Sequence, residues 1–497
     1  MRPRQRRFVV PSLFALLALV LGWAAVRAGG DRDLPAAGRP TKPPLTPVLS
    51  ARRVAAFLAA PAADTALQGE LAQIVAQSPE ATCLTVSVGG RVVYQHNPDV
   101  GLVPASAQKL VTATAALAEL DPEGRLRTRV LAASAPSDGV VPGDLWMVGG
   151  GDPLLATKPY LDHFEHQPQV HTSLEALADA VKAAGVTRVQ GRIVGDDSRY
   201  DRDRYPDAWP QRYLDQNQSG PLSALSVNDG YTTWPARQME GAEEETAATD
   251  PPAHAAATLQ DLLGERGVTV EGTAASGQAP EEVVEIARVD SRPMRAIVGQ
   301  MLNESDNQTA ELLVKELGRK RGDGPTTDAG VAVVAESMRR LGLTRTGTGP
   351  TDGSGLDEGN RTTCALLMHV LDRAGPTSLI GESLAVAGET GTLAERFATS
   401  AAKGRLRAKT GTLNTVTALA GFATARQGPV LTFAYVANGQ TISDPFLALQ
   451  EAMGDDLVAY PQGPPRRSGS HGRVRAHSRV MGRVGASHDP RMGRPSL

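Results

Sequence analysis

The sequence predicts an α+β fold, an antiparallel sheet flanked by helices and interrupted by a large inserted region. Three observations lead there. Near the C-terminus, Gly404–Leu413, Thr415–Thr424 and Val430–Asn438 are apolar runs joined by short turns, the pattern of an antiparallel meander. Helical stretches precede them at Met294–Leu302, Gln308–Arg319 and Asp328–Leu341. Between Thr128 and Asp290 the texture changes to short strands, glycine loops and isolated helices, which reads as an insert with small folds of its own.

The 497 residues exceed what one compact core organises, so more than one domain is expected. Residues 1–28 begin with Arg2, Arg4, Arg6 and Arg7 and continue in an apolar run from Phe8 to Val26. That is the pattern of an export signal or an N-terminal membrane anchor, and it places the rest of the chain outside the cytoplasm. Residues 29–60 are rich in Pro, Gly and Ala and read as a linker. A first helix is expected over Ala62–Gln77. Thr82–Val88 and Arg91–Gln95 alternate across Gly89-Gly90, a hairpin signal.

The apolar stretch Leu110–Leu120 predicts a buried helix. Within the insert, 128–290, Leu145–Val148 is a strand running into the loop Gly149–Pro153. Ser173–Ala184 and Ala253–Arg266 are helices, Gly191–Asp197 is a strand and turn, and the acidic Glu240–Asp250 is an exposed loop. The main domain is therefore discontinuous, 61–127 with 291–460, and closes on a helix over Asp444–Met453. Residues 461–497 form a basic tail with almost no apolar content, which predicts disorder.

Charge and cysteines exclude several classes. The overall charge of −3 hides basic ends, and residues 28–460 alone hold 38 basic against 53 acidic residues. An acidic body argues against nucleic acid as a partner. Cys83 and Cys364 show no metal-ligand spacing, nor do the nine histidines, so neither a metal nor another cofactor is implied. The sequence alone does not decide whether the two cysteines pair.

Three short motifs carry the chemistry. In Ser106-Ala107-Gln108-Lys109, serine and lysine share one helix face, which sets an amine beside a hydroxyl nucleophile. Ser305-Asp306-Asn307 lies in a polar turn between two helices, and Lys409-Thr410-Gly411 lies on a strand. Each alone is weak. In this order and these contexts, Ser-x-x-Lys, Ser-Asp-Asn and Lys-Thr-Gly form the set of active-site-serine penicillin-binding proteins and class A β-lactamases.

Over roughly residues 60–460 the chain resembles the D-alanyl-D-alanine carboxypeptidase/endopeptidase family of the DacB, or penicillin-binding protein 4, type (peptidase family S13). Pro104–Leu110, Gly150–Pro153, Gly195–Ser198, Asn303–Asn307, Asp352–Leu356 and Ala408–Thr412 carry the resemblance. So does the 199-residue separation of Ser106 from Ser305, which leaves room for the family's insert. Ala107-Gln108 departs from the Thr-Met often found there, at positions facing away from the chemistry.

The resemblance implies a penicillin-recognising serine enzyme fold. It also implies a serine peptidase that trims peptidoglycan stem peptides and is acylated by β-lactam antibiotics. Ser106 is the expected nucleophile and Lys109 its base, kept neutral by burial and by the charge of Lys409. Ser305 relays a proton to the leaving amine, and Asn307 holds the substrate amide and Lys109 too. Lys409, Thr410 and Thr412 meet a terminal carboxylate, and Gly411 lets substrate backbone lie along the strand. The backbone N–H groups of Ser106 and Thr412 form the expected oxyanion hole.

Asp152 either faces a diamino-acid amine or is a turn aspartate, as Asp-Pro favours. Arg361 either contacts peptide or makes a surface pair. Glu389-Thr390-Gly391-Thr392 imitates the third motif, but its glutamate would repel a carboxylate, and it is assigned to a structural turn. Two competing readings are a β-lactamase, disfavoured by the long insert, and a wall-associated penicillin-binding scaffold without turnover, disfavoured by three intact motifs.

Overall fold

A computed structural model describes residues 51–162, 164, 168–235, 245–426, 428–439 and 444–461. The expected export segment, the basic tail beyond Pro461 and residues 240–244 of the expected acidic loop lie outside these residues, while Thr246–Ala247 of that loop forms a short strand paired with Tyr231–Thr233. The chain divides into Met1–Phe57 and a compact unit, Leu58–Leu497, which holds every described strand. No described helix is long and apolar enough to cross a membrane.

Helix α1 spans Ala51–Ala76 and continues through Pro61. This corrects the expected start at Ala62 and shortens the expected linker. Proline breaks a helix by denying one bond to the preceding turn, and here the helix absorbs that loss. Strands β1 (Ala81–Val88) and β2 (Arg91–His96) form the expected hairpin. A single 3₁₀ turn, Ala105–Ala107, then leads into α2 (Gln108–Glu119).

The inserted region supplies β3 (Arg127–Ala132), β4 (Leu145–Val148), α3 (Leu174–Ala183), β5 (Ile193–Asp196), α4 (Pro251–Glu265), β6 (Ala275–Ser276) and β7 (Val284–Asp290). These strands make a mixed sheet in the order β6-β5-β4-β3-β7, antiparallel on the β3 side and parallel on the β5 side. One face packs on α3 and α4 through Val130, Leu177, Val181, Leu259 and Leu263. The region thus owns a core while remaining inside one compact unit.

The chain returns through α5 (Met294–Glu304), α6 (Asn307–Arg321), α7 (Thr327–Arg340) and α8 (Cys364–Ala374). It ends on β8 (Ala385–Val386), β9 (Leu406–Leu413), β10 (Val416–Thr424), β11 (Val430–Asn438) and α9 (Asp444–Ala459). The main sheet runs β8-β9-β10-β11-β1-β2, so the N-terminal hairpin completes a sheet begun by the C-terminal meander. Both faces are buried. Ala418, Ala420, Phe422, Ala434 and Val436 point to the helices α2, α5, α6 and α8. Leu419, Leu431, Phe433 and Tyr435 point to the layer containing α1 and α9. That two-sided burial is why β10 and β11 read as unbroken apolar runs.

Cys83 of β1 and Cys364, the first residue of α8, form a disulfide across 281 residues of sequence. It ties the sheet to the helical layer, both sulfurs lying in fully buried residues.

The turn carrying Ser106 is confined by two glycines from distant segments. A Cβ on Gly355 would sit 1.9 Å from the Ala105 carbonyl oxygen, and one on Gly411 would sit 2.7 Å from that of Pro104. Gly355 also holds φ +90°, a left-handed conformation, and Ala105 itself holds φ +47°. On the other side, Asn438 accepts from the Val103 N–H at 2.9 Å and donates to the Val103 carbonyl at 3.0 Å, closing the chain ahead of the turn.

This packing has measurable consequences. The Cys83→Ala/Cys364→Ala double variant loses about 2–4 kcal/mol of stability relative to the oxidised protein. Thermal melts with and without reductant measure it, since the reductant lowers the wild-type midpoint and leaves the variant unchanged. Gly355→Ala costs about 2–4 kcal/mol, from the left-handed backbone and the displaced turn together. A denaturant midpoint equal to wild type would contradict that packing.

Candidate active site

Four segments converge on Ser106. The 3₁₀ turn aims its half-buried side chain outward, and the start of α2 carries Lys109 into full burial. The junction of α5 and α6 presents Ser305, in a left-handed conformation with φ +63°, and Asn307. Asp306 caps α6 by accepting from the Thr309 N–H at 2.9 Å, which fixes where that junction ends. Strand β9 brings Lys409, fully buried, to the same place.

The Lys109 Nζ lies 2.9 Å from Ser106 Oγ, 2.6 Å from Asn307 Oδ1 and 2.8 Å from the Ser354 carbonyl oxygen. Two of these neighbours can only accept. A neutral amine has two N–H donors and one lone pair. It therefore gives its protons to Asn307 and Ser354 and turns its lone pair to the Ser106 hydroxyl. Burial pushes Lys109 down to about 8, against the opposing pull of Asp352, Glu311 and Asp306.

The Lys409 Nζ lies 2.8 Å from Ser305 Oγ and 3.0 Å from the Thr410 carbonyl oxygen. Burial first, and the charge of Lys109 second, hold it well below the ordinary lysine range, with Glu304 opposing. Burial is the leading cause for both amines, and the repulsion between them is shared.

Ser354 is aimed by a network that the motifs alone do not reveal. Glu311 stands one turn after Asn307 on α6 and accepts from the N–H groups of Gly353, at 3.1 Å, and Ser354, at 2.7 Å. Asp352 accepts from the N–H groups of Gly355 at 2.7 Å and Asp357 at 2.6 Å, from Asn360 at 2.8 Å and from Trp209 Nε1 at 3.0 Å. Both carboxyls are pushed up by burial, Glu311 to about 8 with Asp352 adding to it. The i, i+4 spacing of Asn307 and Glu311 on one helix is the sequence signal available for this pair.

The other expected residues divide between the strand edge and positions away from the cluster. Strand β8 covers β9 only at Arg407 and Ala408, so the edge of β9 beyond them is open. On that edge the Leu406 carbonyl accepts from the Ala387 N–H at 2.9 Å. Backbone groups of alternate residues face the same edge, so Thr410 and Thr412 present theirs to it. The Thr410 hydroxyl meets that of Thr392 at 2.9 Å. The Glu389–Thr392 imitation motif is thus a turn, with Gly391–Leu393 in 3₁₀ form, that braces the true one.

Gly411 differs from expectation, since its bare α-carbon faces the Pro104–Ala107 turn and not the open edge. The amide nitrogen of Asn307 donates to the Gln218 carbonyl at 2.6 Å, so its amide is committed at both ends. Asp152 and Arg361 do not touch the cluster. Asp152 is buried, accepts from the Leu154 N–H at 3.0 Å in its own turn, and is pushed up to about 6 by that burial. Arg361 is exposed and donates to the carbonyls of Glu358 and Asn360 at 2.7 and 2.9 Å.

The chain is similar to several known proteins. A D-alanyl-D-alanine carboxypeptidase from an Actinomadura species is 29% identical, over 80% of this chain and 83% of that protein. The carboxypeptidase DacB of Mycolicibacterium smegmatis is 31% identical, over 89% of this chain and 96% of that protein. The crystal structure of penicillin-binding protein 4 from Haemophilus influenzae superposes with a TM-score of 0.66 at 20% identity, covering 78% of this chain and 99% of that one. It shares the fold, the penicillin-recognising serine enzyme architecture with its extra domains. Residues 56–245 and 235–457 match the D-Ala-D-Ala carboxypeptidase 3 (S13) family, and the chain belongs to it.

Proposed function

We propose that the chain is a serine-type D-Ala-D-Ala carboxypeptidase that works through an acyl-enzyme on Ser106. The observation that carries this is the Lys109 amine, whose neutral form can direct its lone pair only at the Ser106 hydroxyl. Ser106 Oγ attacks the carbonyl carbon between the two D-alanines, and its proton passes to Lys109 Nζ. The N–H groups of Ser106 and Thr412 receive the oxyanion. Ser305, hydrogen-bonded to Lys409, delivers a proton to the departing D-alanine amine. Water then opens the ester, and Ser106 recovers its proton. The same steps cut a D-Ala-centred cross-link, an endopeptidase reaction, and trap a β-lactam as a stable ester.

Lys409 joins recognition to chemistry in this reading. Burial and the charge of Lys109 hold it well below the ordinary lysine range. A substrate carboxylate placed against Lys409, Thr410 and Thr412 favours its protonated form. Repulsion between two amines is reciprocal, so the recharged Lys409 drives the proton from Lys109. Asn307 takes the substrate amide by exchanging its contact with the Gln218 carbonyl. The substrates are peptidoglycan stem peptides outside the cytoplasm. The Cys83–Cys364 disulfide supports that location, since such bonds persist in oxidising compartments.

Fluorescent penicillin tests the assignment. Ser106→Ala abolishes stable labelling and release of D-alanine from a D-Ala-D-Ala peptide, and Lys109→Arg stays inactive because a guanidinium cannot accept the proton. Labelling that survives in Ser106→Ala would overturn the nucleophile. The labelling rate also reports the base. With Lys109 at about 8, only the neutral amine reacts. The rate therefore climbs about tenfold per pH unit below 8 and levels off above it. A rate flat from pH 6 to 9 would remove Lys109 from that role.

A further inference from the structure

Away from the catalytic cluster lies a groove of about 370 Å³ whose walls are strongly cationic. Exposed Arg127 and Arg129 at the start of β3, and Arg125 just ahead of it, alternate with buried Leu126, Thr128 and Val130. Arg199, Arg319 and Lys320 face them, and Glu285 is the one acid in the described lining. Along α6, Arg319 lies twelve residues from Asn307, a distance of about 18 Å.

The charges are poorly compensated. Glu316 holds both Arg199, at 2.8 Å, and Arg319, at 3.1 Å, and Asp290 holds Arg127 at 3.0 Å. Arg125 donates to the Ser291 carbonyl, a neutral acceptor, at 2.6 Å. Arg129 and Lys320 have no carboxylate partner among the described residues. Arg129 also stands directly across the strand pair from Arg288, an arrangement of like charges that destabilises a sheet. This concentration sits in a body of net charge −15 over residues 28–460.

We infer that the groove binds a linear phosphate-bearing polymer and holds the enzyme against it. Guanidinium forks match phosphate oxygens in bidentate fashion. Arginines at alternate strand positions repeat about every 6.8 Å, so they meet successive anionic groups of one chain. The cations line a concavity, and Arg199 and Arg319 are half-buried in it, which suits a chain better than a flat bilayer. The described lining holds no aromatic ring, so single-stranded nucleic acid would find phosphate contacts but no stacking platform. The groove's role is independent of the peptidase reading.

The test uses the full chain, tripolyphosphate as the probe, and calorimetric titration at low ionic strength. Arg129→Ala/Lys320→Ala weakens binding at least about tenfold while penicillin acylation stays within about twofold of wild type, and Arg129→Glu weakens it further. Equal binding by wild type and the double variant, or no binding by wild type, overturns the proposal. Phosphatidylglycerol vesicles provide the second arm. Vesicle binding that depends on Arg129 and Lys320, without tripolyphosphate binding, makes the groove a membrane contact and overturns the polymer assignment.

Discussion

Two lysine amines are buried at one place, and the structure around Ser106 follows from keeping them there. An ammonium removed from water is costly unless hydrogen bonds and opposite charges replace the lost hydration. Lys109 receives three acceptors, from α2's own leading turn, from α6 and from the Ser354 loop. Lys409 receives Ser305 and a backbone carbonyl. These partners come from several separate segments, so looseness in any one of them leaves a buried polar group unpaired. The site is rigid because its charges would be intolerable otherwise.

That rigidity is supplied by close packing rather than by local propensity. The Ser106 turn has a strained residue, Ala105, and no side-chain cap. It is held from outside by Gly355, Gly411 and Asn438, which arrive from a loop, a strand and a strand end far along the chain. Gly355 in turn stands in a loop knitted by Glu311 and Asp352. The nucleophile is therefore a property of the assembled sheet and helices. A peptide with the sequence Pro104–Val111 would have no reason to adopt the turn.

The motifs and the meander are legible in the sequence because they depend on spacing. Ser106 and Lys109 meet at i and i+3, Lys409 lies on an apolar strand, and Gly89-Gly90 marks its hairpin. What escapes depends on distance in space without local signature. The Cys83–Cys364 pair spans 281 residues and resembles two isolated buried thiols in sequence. Glu311 reads as an ordinary helical glutamate until the Gly353–Ser354 backbone is laid against it. Helix α1 begins earlier than its sequence suggests because Pro61 is a stronger local signal than the helix that absorbs it. Gly411 matters, as its place in the third motif suggests, but its bare α-carbon serves the nucleophile turn.

The inserted region is part of the site's physics, despite a core of its own. Trp209 donates to Asp352, and the Gln218 carbonyl occupies the Asn307 amide nitrogen. Asp352 is one of the carboxylates that oppose the fall of Lys109. The Trp209 bond favours the charged form of that carboxyl against its burial. Removing the indole donor thus favours a neutral Asp352, weakens the field at Lys109 and lets its proton leave more readily. The region between the first and second motifs therefore acts on the base electrostatically, through Trp209 and Asp352. A domain that only shaped a cleft would have no need to place a hydrogen-bond donor on a buried carboxyl behind it.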